Sequence, residues 1–405
     1  MGLFYKVRTN QNVYIKDVLS GAIGKMPEAE YEKFGDTLVC STIHEKQLTA
    51  EKKILGIMLV ITMDCNFNCP YCFEKDNRNA SYLRRSFIPD IISFIEKMFA
   101  HHNFDGLDVT FTGGEPMLNF EVIKEFVNHL HSTPNRKVFG HISYSIITNG
   151  YSLADDQMLF ILRNEIALQI SLDGNSSIHD RFRTTNDKKG SYEIILNNIE
   201  RMIRSSGRNN VSLRINLTQD NISGFSEMLK DLSSLKKINP FYVYPDLLSV
   251  HHSSPFFLPE DEKVELIDDA LHLMSRYGME IPSNYKYGAN CMYKNNHSIT
   301  IATDGSLYKC YSIVGVQNLS VGHINEFNSL SIYGSNSLCH VQCEYADLCN
   351  GGCPYNQYIE HQVMSRDCHY HFLDRINKSI FCLELQKLEG VHFPQKAVEK
   401  IYLER

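Results

Sequence analysis

The chain has 405 residues, of which 43% are hydrophobic and 21% charged, and its formal net charge is −7. That length is enough for two or three domains, each with its own core. The acidic balance argues against a nucleic-acid backbone as the main partner. No apolar run reaches membrane-spanning length, and nothing at Met1 reads as a secretory signal. A cytoplasmic protein, with neither nucleic acid nor membrane as partner, is expected. Its 12 cysteines then point to metal ligation rather than disulfides. Those from Cys291 onward crowd the last third of the chain, which separates two regions of different chemistry.

Taken in order, residues 1–53 form an N-terminal segment. Tyr5 to Arg8 and Val13 to Ile15 can pair as a hairpin across Thr9-Asn10-Gln11-Asn12, and a short helix is expected from Pro27 to Phe34. Cys40 reads as a small buried hydrophobe. The segment can alternatively hold a peptide substrate by strand addition.

From residue 54 to about 277 strand and helix patterns alternate. Strands are expected at 54–63, 107–113, 142–148, 166–172, 211–218 and 241–247. Helices are expected near 84–101, 119–131, 155–164, 191–205, 223–235 and 260–277. Six βα units in a row imply an α/β fold with a parallel sheet. Periodicity alone permits either a partial barrel or an open doubly wound sheet.

The first strand leads into Cys65-Asn-Phe-Asn-Cys69-Pro-Tyr-Cys72, a C-x3-C-x2-C loop. α/β enzymes place their chemistry at such carboxyl ends of strands. Three thiolates can hold three irons of a [4Fe–4S] cluster and leave the fourth open to a small molecule. A zinc site would want a fourth ligand nearby, and a disulfide reading leaves an odd cysteine.

At these residues the chain resembles the radical S-adenosylmethionine (SAM) enzymes, whose motif is C-x3-C-x-aromatic-C, with Tyr71 as the aromatic. The resemblance implies a partial (β/α)6 barrel over residues 54–285. It also implies that SAM chelates the open iron and that its reductive cleavage gives a 5′-deoxyadenosyl radical. Thr112-Gly113-Gly114-Glu115-Pro116 ends the second strand and matches the family's GGEP motif, which binds the SAM amino group. The two glycines are expected to let the backbone approach a ligand closely. Asn149 ends the third strand, and Ser171 and Asp173 end the fourth; by resemblance these two lie near the SAM ribose or the substrate. His179-Asp-Arg-Phe-Arg183 resembles an H-D-x-x-R element in which Arg183 contacts the SAM carboxylate, with Arg181 as a substitute. A guanidinium suits that task because it pairs bidentately with carboxylate.

A second constellation follows. Cys291 precedes Gly305-Ser-Leu-Tyr-Lys-Cys310, then come Cys339, Cys343, Cys349, Cys353 and Cys368. This resembles the SPASM extension of radical SAM enzymes, here residues 286–405 with a C-terminal helix. Cys339 and Cys343 are separated by three residues where two are usual. The resemblance implies two auxiliary [4Fe–4S] clusters besides the SAM-binding one. Cys291, Cys310 and Cys353 would hold the first, and Cys339, Cys343, Cys349 and Cys368 the second. The first is one ligand short, which leaves Cys382, a substrate thiolate or an open iron. Cys382 equally fits the apolar face of a helix.

The function implied is radical modification of a ribosomally made precursor peptide, forming a thioether or carbon–carbon crosslink. A flavodoxin or ferredoxin would donate electrons. The alternative is oxidation of a sulfatase Cys or Ser to formylglycine. Sulfatase-maturing members carry an Asp directly after the G-x4-C cysteine, where this chain has Tyr311. A phenol near its usual pKa is a poor base at neutral pH, so Tyr311 is expected to give a hydrogen atom or a hydrogen bond instead. A non-enzymatic iron–sulfur carrier or scaffold is a further alternative, against which the intact Cys65 triad and Glu115 argue.

Overall fold

The structure is a computed structural model that describes residues 2–36, 52–75, 79–206, 210–287, 291–326 and 343–403. Cys40 and Cys339 lie outside the described residues. The strands are β1 (Gly2–Arg8), β2 (Asn12–Asp17), β3 (Ile23–Pro27), β4 (Ile54–Thr62), β5 (Gly106–Gly113), β6 (His141–Thr148), β7 (Ala167–Ser171), β8 (Val211–Leu217), β9 (Tyr242–Leu247), β10 (Ser298–Ile301), β11 (Ser306–Tyr308), β12 (Gly322–His323) and β13 (Glu399–Leu403). The helices are α1 (Glu28–Phe34), α2 (Ile88–His101), α3 (Phe120–Ser132), α4 (Asp155–Arg163), α5 (Ser176–Phe182), α6 (Tyr192–Ser205), α7 (Ile222–Lys236), α8 (Glu260–Arg276), α9 (Ala346–Cys349), α10 (Pro354–His361) and α11 (Tyr370–Glu389).

The chain divides into two units that interleave along the sequence. One comprises Met1–Glu51, Leu258–Asn290 and Ser337–Arg405; the other comprises Lys52–Phe257 and Cys291–Asn336.

The larger unit is built on a sheet of order β12-β11-β10-β4-β5-β6-β7-β8-β9. Strands β4 to β9 are parallel and adjacent in sequence order. That order settles the alternative left open above, because a doubly wound sheet reverses its strand order at a switch point. Strand β10 extends the sheet parallel to β4, and β11 returns antiparallel to it.

The two faces of these strands differ. Leu55, Ile57, Leu59, Val109, Phe111, Ile146, Leu168, Ile170, Leu213 and Ile215 are buried. The alternate positions Met58, Thr110, Ser145, Gln169, Arg214 and Tyr244 are only half-buried. A period of two puts the first set on one face and the second on the other. The apolar set packs under helices with apolar stripes, such as Ile91, Ile95 and Met98 of α2. The second set is mostly polar. A closed barrel fills its interior with branched aliphatics; this interior carries hydroxyls, an amide and a guanidinium instead. Thr110 and Ser145 bond each other at 2.8 Å, and Ser143 donates to Asp108 at 2.8 Å.

The smaller unit holds the antiparallel sheet β13-β1-β2-β3. The expected hairpin is the β1–β2 pair, and α1 is the expected short helix. The C-terminal strand β13 beside β1 was not anticipated. One face of this sheet packs Phe4, Val13, Ile15 and Met26 with Tyr31 of α1. On the other face Tyr5 stacks on Phe381 of α11, with centroids 6.4 Å apart. Its hydroxyl meets that of Tyr345 at 2.8 Å. Helix α8, expected as the last helix of the βα series, belongs to this unit. There Phe372 N donates to Glu260 at 3.1 Å and Arg375 pairs with Asp261 at 2.9 Å.

Lys16 on β2 is 1% exposed and pairs with Glu384 of α11. Burial pushes the lysine pKa down and the glutamate pKa up, so desolvation outweighs the attraction of the pair. Removing one partner leaves a buried group without its counter-charge, whereas removing both often costs little. Lys16→Met is therefore expected to cost about 3–5 kcal/mol, and Lys16→Met/Glu384→Leu to recover most of it. Thermal denaturation of the three proteins checks this; a double variant as weak as the single one would refute it.

Candidate active site

The carboxyl ends of β4 to β7 carry the site. Strand β4 shifts register against β5 between Val60 and Thr62, a bulge that turns the chain into the cysteine loop. Thr62 Oγ1 accepts from Asp64 N at 3.0 Å, and Asp64 Oδ1 accepts from Cys65 N at 2.8 Å. Cys65 and Cys69 are buried and Cys72 is half-buried, and none of the described cysteines is in a disulfide. Cys72 N donates to Cys69 O at 3.3 Å, which folds the last two thiols into one turn. A second loop braces this one. Phe67 bridges Thr185, Asn68 N donates to Thr184 O at 3.0 Å, and Asn186 Nδ2 donates to Cys65 O at 3.0 Å.

The glycines also meet a constraint inside the chain. Gly113 has φ +130°, and a Cβ there would stand 2.0 Å from Thr62 O; at Gly114 it would stand 2.3 Å from Asp64 O. The two residues lack side chains because the backbone leading into the cysteine loop occupies that space. Gly114 N and Glu115 N then donate to Thr62 O and Asp64 O, both at 2.9 Å.

Glu115 is fully buried. Its Oε1 accepts from Met117 N at 3.0 Å and Thr148 Oγ1 at 2.7 Å, and its Oε2 accepts from Asn149 N at 2.7 Å. Burial pushes its pKa up despite these donors. Asn149 is tied to the cysteine loop by donating to Asn66 Oδ1 at 2.8 Å.

Asp173 is also fully buried and gathers the rest. Its Oδ2 accepts from Tyr71 OH and from Arg183 Nε at 2.6 Å, and its Oδ1 accepts from Asn216 N at 2.8 Å. Burial pushes the Asp173 carboxyl up, but Arg183 and Tyr71 outweigh it and hold the pKa below the usual range. Burial also lifts the Tyr71 phenol well above its ordinary pKa. Arg183 is buried over the Tyr71 ring, 5.7 Å from its centroid. Arg181 is exposed and pairs with Asp220 at 3.2 Å, so the two arginines are not interchangeable in position.

His179 and Asp180, given no role above, are structural. His179 Nδ1 accepts from Asp173 N at 3.1 Å, and Nε2 meets Ser191 Oγ at 3.0 Å, which donates to Arg183 O at 2.7 Å. Asp180 Oδ1 caps α6 by accepting from Ser191 N at 2.7 Å and Tyr192 N at 2.9 Å. Burial and the nearby guanidinium push the His179 pKa down to about 4, so its ring is neutral.

Ser171 ends β7 half-buried, in register with Arg214. Arg214 pairs with Asp246 at 2.8 Å and lies beside Tyr311, while its Nε is buried with no hydrogen-bond partner among the described residues. The Tyr311 ring stands edge-on to Phe73, which follows Cys72, with centroids 5.4 Å apart. Burial raises the Tyr311 phenol pKa further. Neither Arg214 nor Asp246 was singled out above; the signal was a charged residue at an interior position of each of two neighbouring strands. Cys291 and Cys310 are half-buried in the same unit. Lys309 Nζ donates to Asn295 O at 2.7 Å and Ser298 O at 2.9 Å, which ties the segment after Cys291 to that of Cys310. In the other unit Cys382 is buried on α11, and burial pushes its thiol up to about 11.

Residues 59–232 match the family described as the Radical SAM superfamily. The chain is similar to the cysteine-type anaerobic sulfatase-maturating enzyme of Clostridium novyi (strain NT), with 25% identity over 368 residues, 82% of this chain and 93% of that protein. The fold is similar to native anSMEcpe with bound AdoMet, with a TM-score of 0.64, 15% identity, and coverage of 83% of this chain and 98% of that one. It is also similar to Streptococcus suis SuiB bound to precursor peptide SuiA, with a TM-score of 0.53, 13% identity, and coverage of 90% and 98%. Among the described residues no helix is long and apolar enough to cross a membrane.

Asp173→Asn leaves the buried Arg183 charge without its counter-ion and loosens the Tyr71 anchor. A loss of about 3–5 kcal/mol is expected, together with less iron bound per chain after reconstitution. Unchanged thermal stability and iron content would sink this account. His179 gives a pH signature. Its folded pKa lies below the unfolded value of about 6.5, so the unfolded chain binds more protons between the two. Stability is fully present above about pH 6.5 and falls as pH drops toward 4, by on the order of 3 kcal/mol in all. The Tm of the wild-type protein should fall more steeply from pH 7 to pH 5 than that of His179→Gln; parallel curves would contradict it.

Proposed function

Because the chain carries a radical SAM domain over residues 59–232, we propose that it is a radical enzyme acting on a peptide side chain, with crosslinking of a ribosomally made peptide as its reaction. The observation that supports this most is a three-thiol loop set at the end of a parallel barrel whose interior is polar and half-open.

The residues fit the cofactors. Cys65, Cys69 and Cys72 would hold the [4Fe–4S] cluster and leave one iron for SAM. When bound, cluster and SAM supply a carbon-centred radical that removes a hydrogen atom from the substrate. A carboxylate has about four lone-pair sites. Three on Glu115 are taken by Met117, Thr148 and Asn149, which leaves one for an ammonium such as that of SAM. Asp173 fixes Tyr71 and Arg183, and so the position of the loop between the last two thiols. Gln169, Ser171, Arg214, Tyr244 and Tyr311 offer interior donors and acceptors to a peptide backbone. The cysteines from Cys291 onward would hold two auxiliary [4Fe–4S] clusters. SuiB, bound to a precursor peptide, supports a peptide as the class of substrate.

A second reading is formylglycine formation in a sulfatase. It is favoured by the match to 93% of the Clostridium novyi enzyme. Against it stands Tyr311, a buried phenol with a raised pKa beside Arg214, where a general base would be needed.

The test is mass spectrometry after anaerobic reaction with two probes: a short peptide encoded beside the gene, and a sulfatase-derived peptide with its target Cys. A Cys69→Ala protein is the control. Loss of two hydrogens per site in the first probe is expected, and none in the control. Exchange of the thiol for an aldehyde in the second probe alone would replace the first reading with the second.

A further inference from the structure

Closing a bond between two side chains removes two hydrogens from the substrate. One leaves as an atom and ends on 5′-deoxyadenosine. The other leaves as a proton, and the electron it leaves behind passes to an oxidant; iron–sulfur centres at the cysteines after residue 290 are of that class. The proton needs an acceptor inside the barrel.

Few interior groups can take one. Strands β4 to β9 carry two acidic side chains, Asp108 and Asp246. Asp108 stands near the amino end of β5, in register with Gly56 and Ser143, and accepts from Ser143 Oγ. Asp246 stands at the carboxyl end of β9, in register with Asn216. The Asn216 amide donates to Asp173, which also holds Tyr71 of the cysteine loop. Asp246 is thereby placed at the level of the cysteine loop, and Asp108 toward the other end of the strands. A second route gives the same placement: Tyr311, beside Arg214, stands edge-on to Phe73, which follows Cys72.

Glu115 and Asp173 reach this level too, but both are fully buried among their hydrogen-bond partners. The Asp246 side chain is 39% exposed. Its Oδ2 pairs with Arg214 at 2.8 Å, and its Oδ1 accepts from Leu247 N at 3.0 Å. These bonds fill two of the roughly four lone-pair sites of a carboxylate. Arg214, on the neighbouring strand, orients the group and leaves the other sites open, as an orienting partner does for a base. The phenols beside the pair are no substitute. Burial raises the pKa of both Tyr311 and Tyr244, so each already holds its proton.

We propose that Asp246 is the general base of the reaction, taking the proton released as the new bond closes. This rests on the crosslinking reading given above. The substrate bond broken is S–H or C–H, its proton goes to a carboxylate oxygen of Asp246, and the exposure of that side chain lets the proton pass on to solvent. The base is thus supplied by β9 and not by the residue after Cys310, where this chain has a phenol.

The test compares wild type with three variants, each as the full chain reconstituted anaerobically, on the peptide encoded beside the gene. Asp246→Asn keeps an acceptor for Arg214 but no base, Asp246→Ser removes both, and Asp246→Glu keeps a carboxylate. Iron per chain and Tm report whether each is folded and loaded. Crosslinked peptide and 5′-deoxyadenosine are counted in the same reaction by mass spectrometry. Asp246→Asn and Asp246→Ser are expected to go on making 5′-deoxyadenosine while crosslinks per 5′-deoxyadenosine fall about 10²-fold, and Asp246→Glu to regain most of the yield. An unchanged ratio in either of the first two would overturn the proposal. So would crosslinks and 5′-deoxyadenosine falling in step, the mark of a residue that only holds the substrate. Wild-type protein that forms 5′-deoxyadenosine yet crosslinks no peptide would overturn the crosslinking reading itself, and this proposal with it.

Discussion

A single buried carboxylate decides where the cysteine loop lies. Asp173 closes four bonds at once, to Tyr71 in the cysteine loop, to Arg183 at the end of α5, to the backbone of β8, and through its own amide to His179. The partners come from three separate stretches of chain. Alone, burying Asp173 or Arg183 would be unfavourable; together, with Tyr71 and Asn216 each meeting a further lone pair, the pair is tolerated. The cysteine loop has no regular structure of its own, so its geometry is borrowed from this pairing and from the Asn66–Asn149 and Phe67–Thr185 links.

Much of this was legible in the sequence, for a physical reason. Strands β4 to β9 are buried on one face and flanked by amphipathic helices, so their periodicity is strong and their bounds fall within a residue or two of expectation. Cys65, Glu115, Asn149 and Asp173 stand at strand ends, where pattern and chemistry coincide. What was not legible depended on distance in sequence. No local signal says that β13 pairs with β1 across the whole chain, or that α8 packs with α11 rather than closing the βα series. That the GGEP glycines also face the Thr62–Asp64 backbone is revealed only by the β4–β5 register. His179 and Asp180 carried a motif, yet what they do is hold Arg183 and cap α6.

The barrel interior links fold to reaction. Six strands with one apolar and one polar half-buried face cannot pack their interior as a closed core does. The Thr110–Ser145 and Ser143–Asp108 bonds satisfy part of that polar surface internally. Arg214 is the exception, since its charge is met by Asp246 while its Nε is left with no partner among the described residues. A neutralised guanidinium with a spare donor suits an uncharged acceptor.

The thiol-rich part of the smaller unit follows different physics. Helix α9 has four residues and α10 has eight, too short to be stable by themselves. Between Cys349 and Cys353 three successive residues, Asn350, Gly351 and Gly352, take φ of +47°, +83° and +73°. A non-glycine residue in that region is unfavourable and persists only where its surroundings over-determine it. Hydrogen bonds from Gly352 to Cys349 and from Asp367 to Gly351 supply part of that determination. Cys382 adds little to it, being a buried thiol on the long helix α11 and already accounted for by packing. Metal ligation at the cysteines would supply the rest, because binding free energy at such sites is folding free energy.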